Sequence, residues 1–251
     1  MKKTLICFAI CFYSFLSFSQ EDCFKAGEEL FYNFRYGFIN AGKGSLKLKT
    51  KSYKNINYLF AEAIGKTTGI FSLYKVKDVY GSYIDTKTDL PVACIRDIKE
   101  GSYVRYDIGT FHRDSSMVYS SQKKKFIKVK DNALDIVSVY YFIRKHCIHD
   151  NMQKNDTISM NTYFDCEPFD IKIIYKGNEI IKSKFGKIKC YKFIPLVKKG
   201  KLFTSKDNIE LYISADNNKI PIKARFKIFI GAFVCELDGF RGLSHSFRII
   251  K

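Results

Sequence analysis

Leu30-Phe31-Tyr32-Asn33-Phe34-Arg35-Tyr36-Gly37-Phe38-Ile39 is the stretch on which the fold turns. Leu30, Tyr32, Phe34, Tyr36 and Phe38 fall on one side of a period-two repeat, and Phe31, Asn33, Arg35, Gly37 and Ile39 on the other. Alternate side chains of an extended chain point to opposite faces, so this reads as a strand with one wholly apolar, mostly aromatic face. A face of that kind belongs against a core or along the wall of a cavity. Ala41-Gly42-Lys43-Gly44 reads as the turn, and residues 45–50 as the returning strand.

The same rhythm continues outward. Residues 58–64 read as a third strand, and in the next Val76, Tyr80 and Ile84 alternate with Asp78 and Ser82. Pro91 opens a strand running to Ile98, and Lys99-Glu100-Gly101-Ser102 makes a tight hairpin into 103–111. Further strands are predicted at 117–120, 126–129, 157–164, 169–175, 179–182, 188–197, 208–214, 220–228 and 232–237, with Lys176-Gly177-Asn178 as a turn. Residues 133–147 break the pattern. Leu134, Val137, Tyr140, Tyr141 and Arg144 recur at helical spacing, with Asp131 and Asn132 available as caps. The prediction is a mainly β protein: a long antiparallel curved sheet or half-barrel with one central α-helix, forming a single domain over residues 20–251.

Residues 1–19 have the three parts of a secretory signal peptide. Lys2 and Lys3 supply the charge, Leu5 to Phe18 the apolar core, and Ser17 and Ser19 the small residues of a cleavage site. Gln20-Glu21-Asp22 before Cys23 lack the small, apolar character of a lipoprotein site, so no lipid anchor is expected. No later apolar run approaches the roughly 20 residues of a transmembrane helix. The expected location is the periplasm of a Gram-negative bacterium. With export come two consequences: nucleic acid is not an expected partner, and the six cysteines left after cleavage are free to form disulfides, of which at most one or two are expected.

The formal charge is +18, from 43 basic and 25 acidic residues. Frequent Lys, Ile, Asn, Tyr and Phe with no Trp is the usage of an AT-rich genome, which accounts for most of that charge; an anionic or amphipathic envelope component such as a lipid is the partner it would suit. Catalytic patterns are weak. Gly65-Lys66-Thr67 lacks the earlier glycine of a phosphate-binding loop, because Phe60 stands there. His146, Cys147 and His149 have no second cluster to complete a metal site, so no metal or cofactor is expected. Gly242-Leu243-Ser244-His245-Ser246 lacks the closing glycine of a nucleophile elbow. Arginine is scarce, and with Glu100-Gly101 as the hairpin loop Arg96 would face Arg105. Like charges directly opposite destabilise a sheet, so an anion or a carboxylate is expected between them.

The order of several short motifs resembles an exported bacterial family, domain of unknown function 3108. They are Gly27-Glu28-x-Leu30-x-Tyr32, Ala41-Gly42, Val76-x-Asp78-x-x-x-Ser82-x-Ile84-Asp85, Pro91, Asp135-Ile136-Val137-Ser138-x-Tyr140-Tyr141-x-x-Arg144, Gly186, Ser214-x-Asp216 and Pro221. A tryptophan expected near Tyr212 is absent. The resemblance implies an envelope protein built on an antiparallel sheet and supplies no activity. Asp135 and Arg144 are expected to serve the helix dipole from either end. Together these readings favour a non-enzymatic protein that binds an apolar or amphipathic ligand within a curved sheet, through Tyr32, Phe34, Tyr36, Phe38, Arg96 and Arg105. The alternative is a structural protein binding protein or glycan through a sheet face; a glycan-active enzyme would need two facing carboxylates in a cleft.

Overall fold

The computed structural model describes residues 22–196, 209–227 and 231–250. The expected leader and the ends of three predicted strands lie outside the described residues. Fifteen strands form one sheet. They are β1 (Glu29–Tyr36), β2 (Ile39–Tyr53), β3 (Ile56–Thr67), β4 (Lys77–Ile84), β5 (Pro91–Glu100), β6 (Tyr103–His112), β7 (Met117–Ser120) and β8 (Lys125–Lys128) in the first half. The second half has β9 (Leu134–Asp135), α1 (Ser138–His146), β10 (Thr157–Phe164), β11 (Glu167–Ser183), β12 (Gly186–Pro195), β13 (Ile209–Ser214), β14 (Pro221–Lys227) and β15 (Ala232–Arg241).

The order across the sheet runs from β8 back to β1, then from β15 back to β9. Strands β1 to β8 and β10 to β15 are therefore each a meander, and the first and last strands join them at the centre, where Phe34 pairs with Cys235. All pairings are antiparallel except β9 with β10. The edge strands β8 and β9 do not pair with each other, so the sheet is not closed into a barrel. It curls instead until its two ends pack face to face: Phe111, Val118 and Ile127 from the first half share a cluster with Tyr163 from the second. A sheet with one apolar face curls in this way because its natural twist brings distant strands together over a common core.

Three local expectations are corrected. The first hairpin turns at Gly37-Phe38, where Gly37 has φ +56, and 41–44 lies inside β2. Gly42 and Gly44 serve a different need: the Phe34 ring lies across both, and a Cβ on Gly44 would come within 2.5 Å of it. Lys176-Gly177-Asn178 is a bulge inside the long strand β11, with Gly177 at φ +105, because an extra residue there bends the strand without ending it. Finally, Leu134 and Asp135 pair with β10, and the helix starts at Ser138. Asp135 decides that boundary, since its carboxylate accepts the Val137 and Ser138 N–H groups at 2.8 and 3.0 Å.

All six cysteines at 23, 94, 147, 166, 190 and 235 are free thiols. Among the described residues no helix is long and apolar enough to cross a membrane.

Candidate functional site

α1 lies inside the curl and divides it. Tyr141 and Val137 pack with Phe24, Leu48, Ala61 and Ile84 towards the first half. On its other side Val139 and Ile143, four residues apart, line an apolar groove of about 300 Å³. The opposite wall follows from strand periodicity: Phe169, Ile171 and Ile173 alternate along β11, and Leu211 and Ile213 along β13. Phe193 forms part of the same wall and is buried in the cluster beneath it. At the mouth, Phe169 is 45% and Leu196 38% exposed, so apolar surface continues from the groove to solvent. Tyr140 is the polar side chain of interest here: it lines the groove, and its buried hydroxyl has no hydrogen-bond partner among the described residues. Burial raises its pKa well above the ordinary value, so it stays a neutral donor.

The groove is held by a buried ion pair. Arg144 and Glu28 are both fully excluded from solvent and meet in a two-pronged contact at 2.7 and 2.8 Å. The guanidinium also donates to the Asn218 carbonyl at 2.7 Å and the Cys23 carbonyl at 3.1 Å, and lies against the rings of Phe24, Tyr140 and Tyr141. Burial pulls its pKa down, but Tyr140 and Glu28 outweigh that and the net shift is upward, so Arg144 remains charged. One side chain thereby ties the N-terminal segment, α1 and the β13–β14 turn together. Arg144 lies in the last turn of α1, and its guanidinium turns inward, where a planar fork can satisfy several acceptors at once. Two further networks set the other supports. Asp135 accepts the Ser82 hydroxyl at 2.6 Å, joining β9 to β4, and burial raises its pKa. Asp216 accepts the Ser214 hydroxyl at 2.7 Å and the Arg248 N–H at 3.2 Å.

None of the six residues expected to bind ligand lines this groove. Tyr32 is buried in the core, donating to the Pro221 carbonyl at 3.2 Å. Phe34 covers the glycines of β2, Tyr36 packs on Phe233 with ring centroids 4.9 Å apart, and Phe38 stands exposed at the hairpin tip. Arg96 and Arg105 do converge, by a different register. The hairpin loop is Gly101-Ser102, with Gly101 at φ +59, so Arg96 faces Asp107 and Arg105 faces Ile98. Both guanidinium groups reach the Asp165 carboxylate at the β10–β11 turn. The space beside them is about 30 Å³, room for about one water. Asp107, beneath, is raised by burial but lowered further by the Gln122 N–H, Cys166, Ser120 and Ser121, and its net pKa is below the ordinary value. The Asp107 and Asp165 carboxylates are both held by protein groups, while Arg96 Nε is buried without a hydrogen-bond partner among the described residues. Among the described residues no three His, Cys, Asp or Glu side chains gather as a metal site; His146 meets Asp89 at 2.9 Å.

Sequence reasoning missed the groove because its walls come from α1 and three strands distant in the chain. The available signal was the alternation Phe169-x-Ile171-x-Ile173, with Leu211-x-Ile213 repeating it.

Comparison with known proteins adds a family and a fold. A family model described as a protein of unknown function, DUF3108, matches residues 32–238. A solved β-barrel-like protein of domain of unknown function DUF1849 from Brucella abortus superposes with a TM-score of 0.58 at 7% identity, over 86% of this chain and 98% of that one. A DUF1089 family protein from Pseudomonas aeruginosa gives 0.43 at 12% identity, over 73% and 89% of the two chains. A protein with a YmcC-like fold from Bacteroides fragilis gives 0.37 at 9%, over 87% and 97%. No curated protein matches this chain.

Proposed function

The chain belongs to the DUF3108 family, which is described as of unknown function, and from that premise we propose that it is an exported, non-enzymatic envelope protein that binds an apolar or amphipathic, lipid-like ligand. The observation that carries this reading is the groove between α1 and β11–β13. Its volume of about 300 Å³ lies at the lower bound of ordinary ligand sites, and its lining side chains are overwhelmingly apolar. Water gains little in such a space, whereas an acyl or similar chain is favoured by about 25 cal/mol per Å² buried. The secretory leader supports a place outside the cytoplasm, in the periplasm.

Native mass spectrometry of protein purified from its own envelope, followed by lipid extraction, tests the proposal. The wild-type chain is expected to carry a lipid-sized adduct. Leu211→Trp places a large side chain in the groove and should remove the adduct while leaving the fold intact. A wild-type chain without adduct, or an adduct that Leu211→Trp leaves unchanged, refutes the reading. A recurrent protein partner in crosslinked envelopes without bound lipid would favour the interaction-protein alternative.

A further inference from the structure

One end of the sheet is apolar and uncovered. Phe38, at the β1–β2 tip, is 104% exposed; Ile70 and Leu73, on the short 3-10 turn Gly69–Leu73 that joins β3 to β4, are 66% and 89% exposed. These tips form one surface. The Thr68 N–H donates to the Ala41 carbonyl at 3.0 Å, which fixes the 3-10 turn beside the first hairpin. The Gly101 N–H donates to the Lys75 carbonyl at 2.8 Å and the Tyr74 hydroxyl to the Glu100 carbonyl at 3.2 Å, which bring in the β5–β6 tip with exposed Tyr103. Large aliphatic and aromatic side chains clustered at this exposure contribute nothing to folding and mark a contact surface.

Behind the rim runs a row of like charges. Lys43 pairs directly with Lys66 across β2 and β3, and Lys66 with Lys77 across β3 and β4. All three are exposed, and none forms an ion pair among the described residues. Further along the same face of β2 the lysines do have partners: Lys47 meets Glu29 at 3.5 Å and Lys49 meets Glu62 at 3.8 Å. Opposed lysines weaken a sheet, so their counter-charge is to be sought outside the protein. At about 3.3 Å per residue, Lys66 and Lys77 lie about 10 Å behind the 3-10 turn. Apolar tips in front with a cationic row at that depth match the layering of a bilayer interface, acyl chains first and phosphates next.

We propose that this end of the protein docks on the surface of an anionic lipid bilayer, with Phe38, Ile70 and Leu73 entering the acyl boundary and Lys43, Lys66 and Lys77 facing the head groups. The charge row argues against a second copy of the chain, which would set lysine against lysine. The proposal stands apart from the groove and holds whether or not the groove is occupied.

Vesicle flotation tests it, with phosphatidylcholine alone and with an equimolar mixture of phosphatidylcholine and phosphatidylglycerol. The wild-type protein is expected to float with the anionic vesicles, and Phe38→Ser/Leu73→Ser to lower its partition at least ~10-fold. Lys43→Gln/Lys66→Gln/Lys77→Gln should abolish the preference for phosphatidylglycerol. The chain has no tryptophan, so Phe38→Trp supplies a single indole, whose emission should shift to the blue on adding anionic vesicles. Wild-type protein that stays in solution, a rim variant that floats as wild type, or an unshifted Phe38→Trp emission overturns the proposal. So does a wild-type dimer in sedimentation velocity that Phe38→Ser/Leu73→Ser dissociates. Leu211→Trp should float like wild type, so failure of the groove reading and of the docking reading are separately visible.

Discussion

Removing Arg144 should be the most damaging single polar substitution in this protein. Arg144→Met leaves the Glu28 carboxylate fully buried without its partner, and strands the carbonyls of Asn218 and Cys23 that accepted from the same guanidinium. An uncompensated buried charge costs about 3–5 kcal/mol. At about 2–4 °C per kcal/mol for a domain of this size, the melting temperature falls by about 6–20 °C. Glu28→Leu should cost a similar amount, because it strands the guanidinium. The double substitution removes both charges and leaves only the two stranded carbonyls, about 1–3 kcal/mol each, a cost the Arg144→Met single carries as well. The predicted coupling is therefore several kcal/mol, far outside the scatter of independent sites. Urea unfolding of the four proteins, followed by far-ultraviolet circular dichroism and tyrosine emission, measures it. Additive single costs, or an Arg144→Met protein within about 1 kcal/mol of wild type, would refute the claim that this pair ties the N-terminal segment, α1 and the β13–β14 turn.

Three other outcomes are expected. Gly44→Ala drives a methyl into the Phe34 ring, with contacts at 2.5, 3.2 and 3.3 Å, and should cost about 1–3 kcal/mol, part of which Phe34→Leu restores; equal costs in the two backgrounds would remove the close-approach explanation. Glu210 and Glu236 are raised by burial but lowered further by Lys227, Lys192 and Arg225, and by Lys223 and Arg35, so both net pKa values lie below the ordinary one. Their stabilisation is present above the unfolded value of about 4.3 and is lost as pH falls through the folded one. The urea midpoint should therefore drop below about pH 4, and Glu236→Gln should flatten that drop; an unchanged acid limb counts against it. Thiol titration in denaturant without reductant should find all six cysteines of residues 22–250 reactive, and any shortfall would mean a disulfide this fold does not contain.

The family motifs acquire a physical meaning in the fold. Glu28 and Arg144, Ser82 and Asp135, and Ser214 and Asp216 are three buried pairs, each joining segments distant in the chain or closing a turn. They build the frame around α1, and Arg144 of that frame also lines the groove. These motif residues therefore each have a structural partner in this fold. Arg96 and Arg105 show the same division: a carboxylate was expected between them because they were read as facing each other, which they do not, and both meet Asp165 because the β10–β11 turn brings it there.

Period two and period 3.6 are local properties, so the chain alone determined a mainly β fold with one helix: the alternation from Leu30 to Tyr36 and the helical spacing up to Arg144 hold in isolation. Local pattern could not say whether glycines 42 and 44 made a turn or a bed for Phe34, because that depends on a ring arriving from the neighbouring strand. Nor could it place the aromatic face. A hairpin turning at Gly37 buries Leu30 and Tyr32 and throws Phe38 into solvent, so one sequence stripe becomes part core and part exposed tip. The apolar groove and the lysine row are products of tertiary structure. Each is assembled from strands whose register, not their individual sequences, decides which side chains meet.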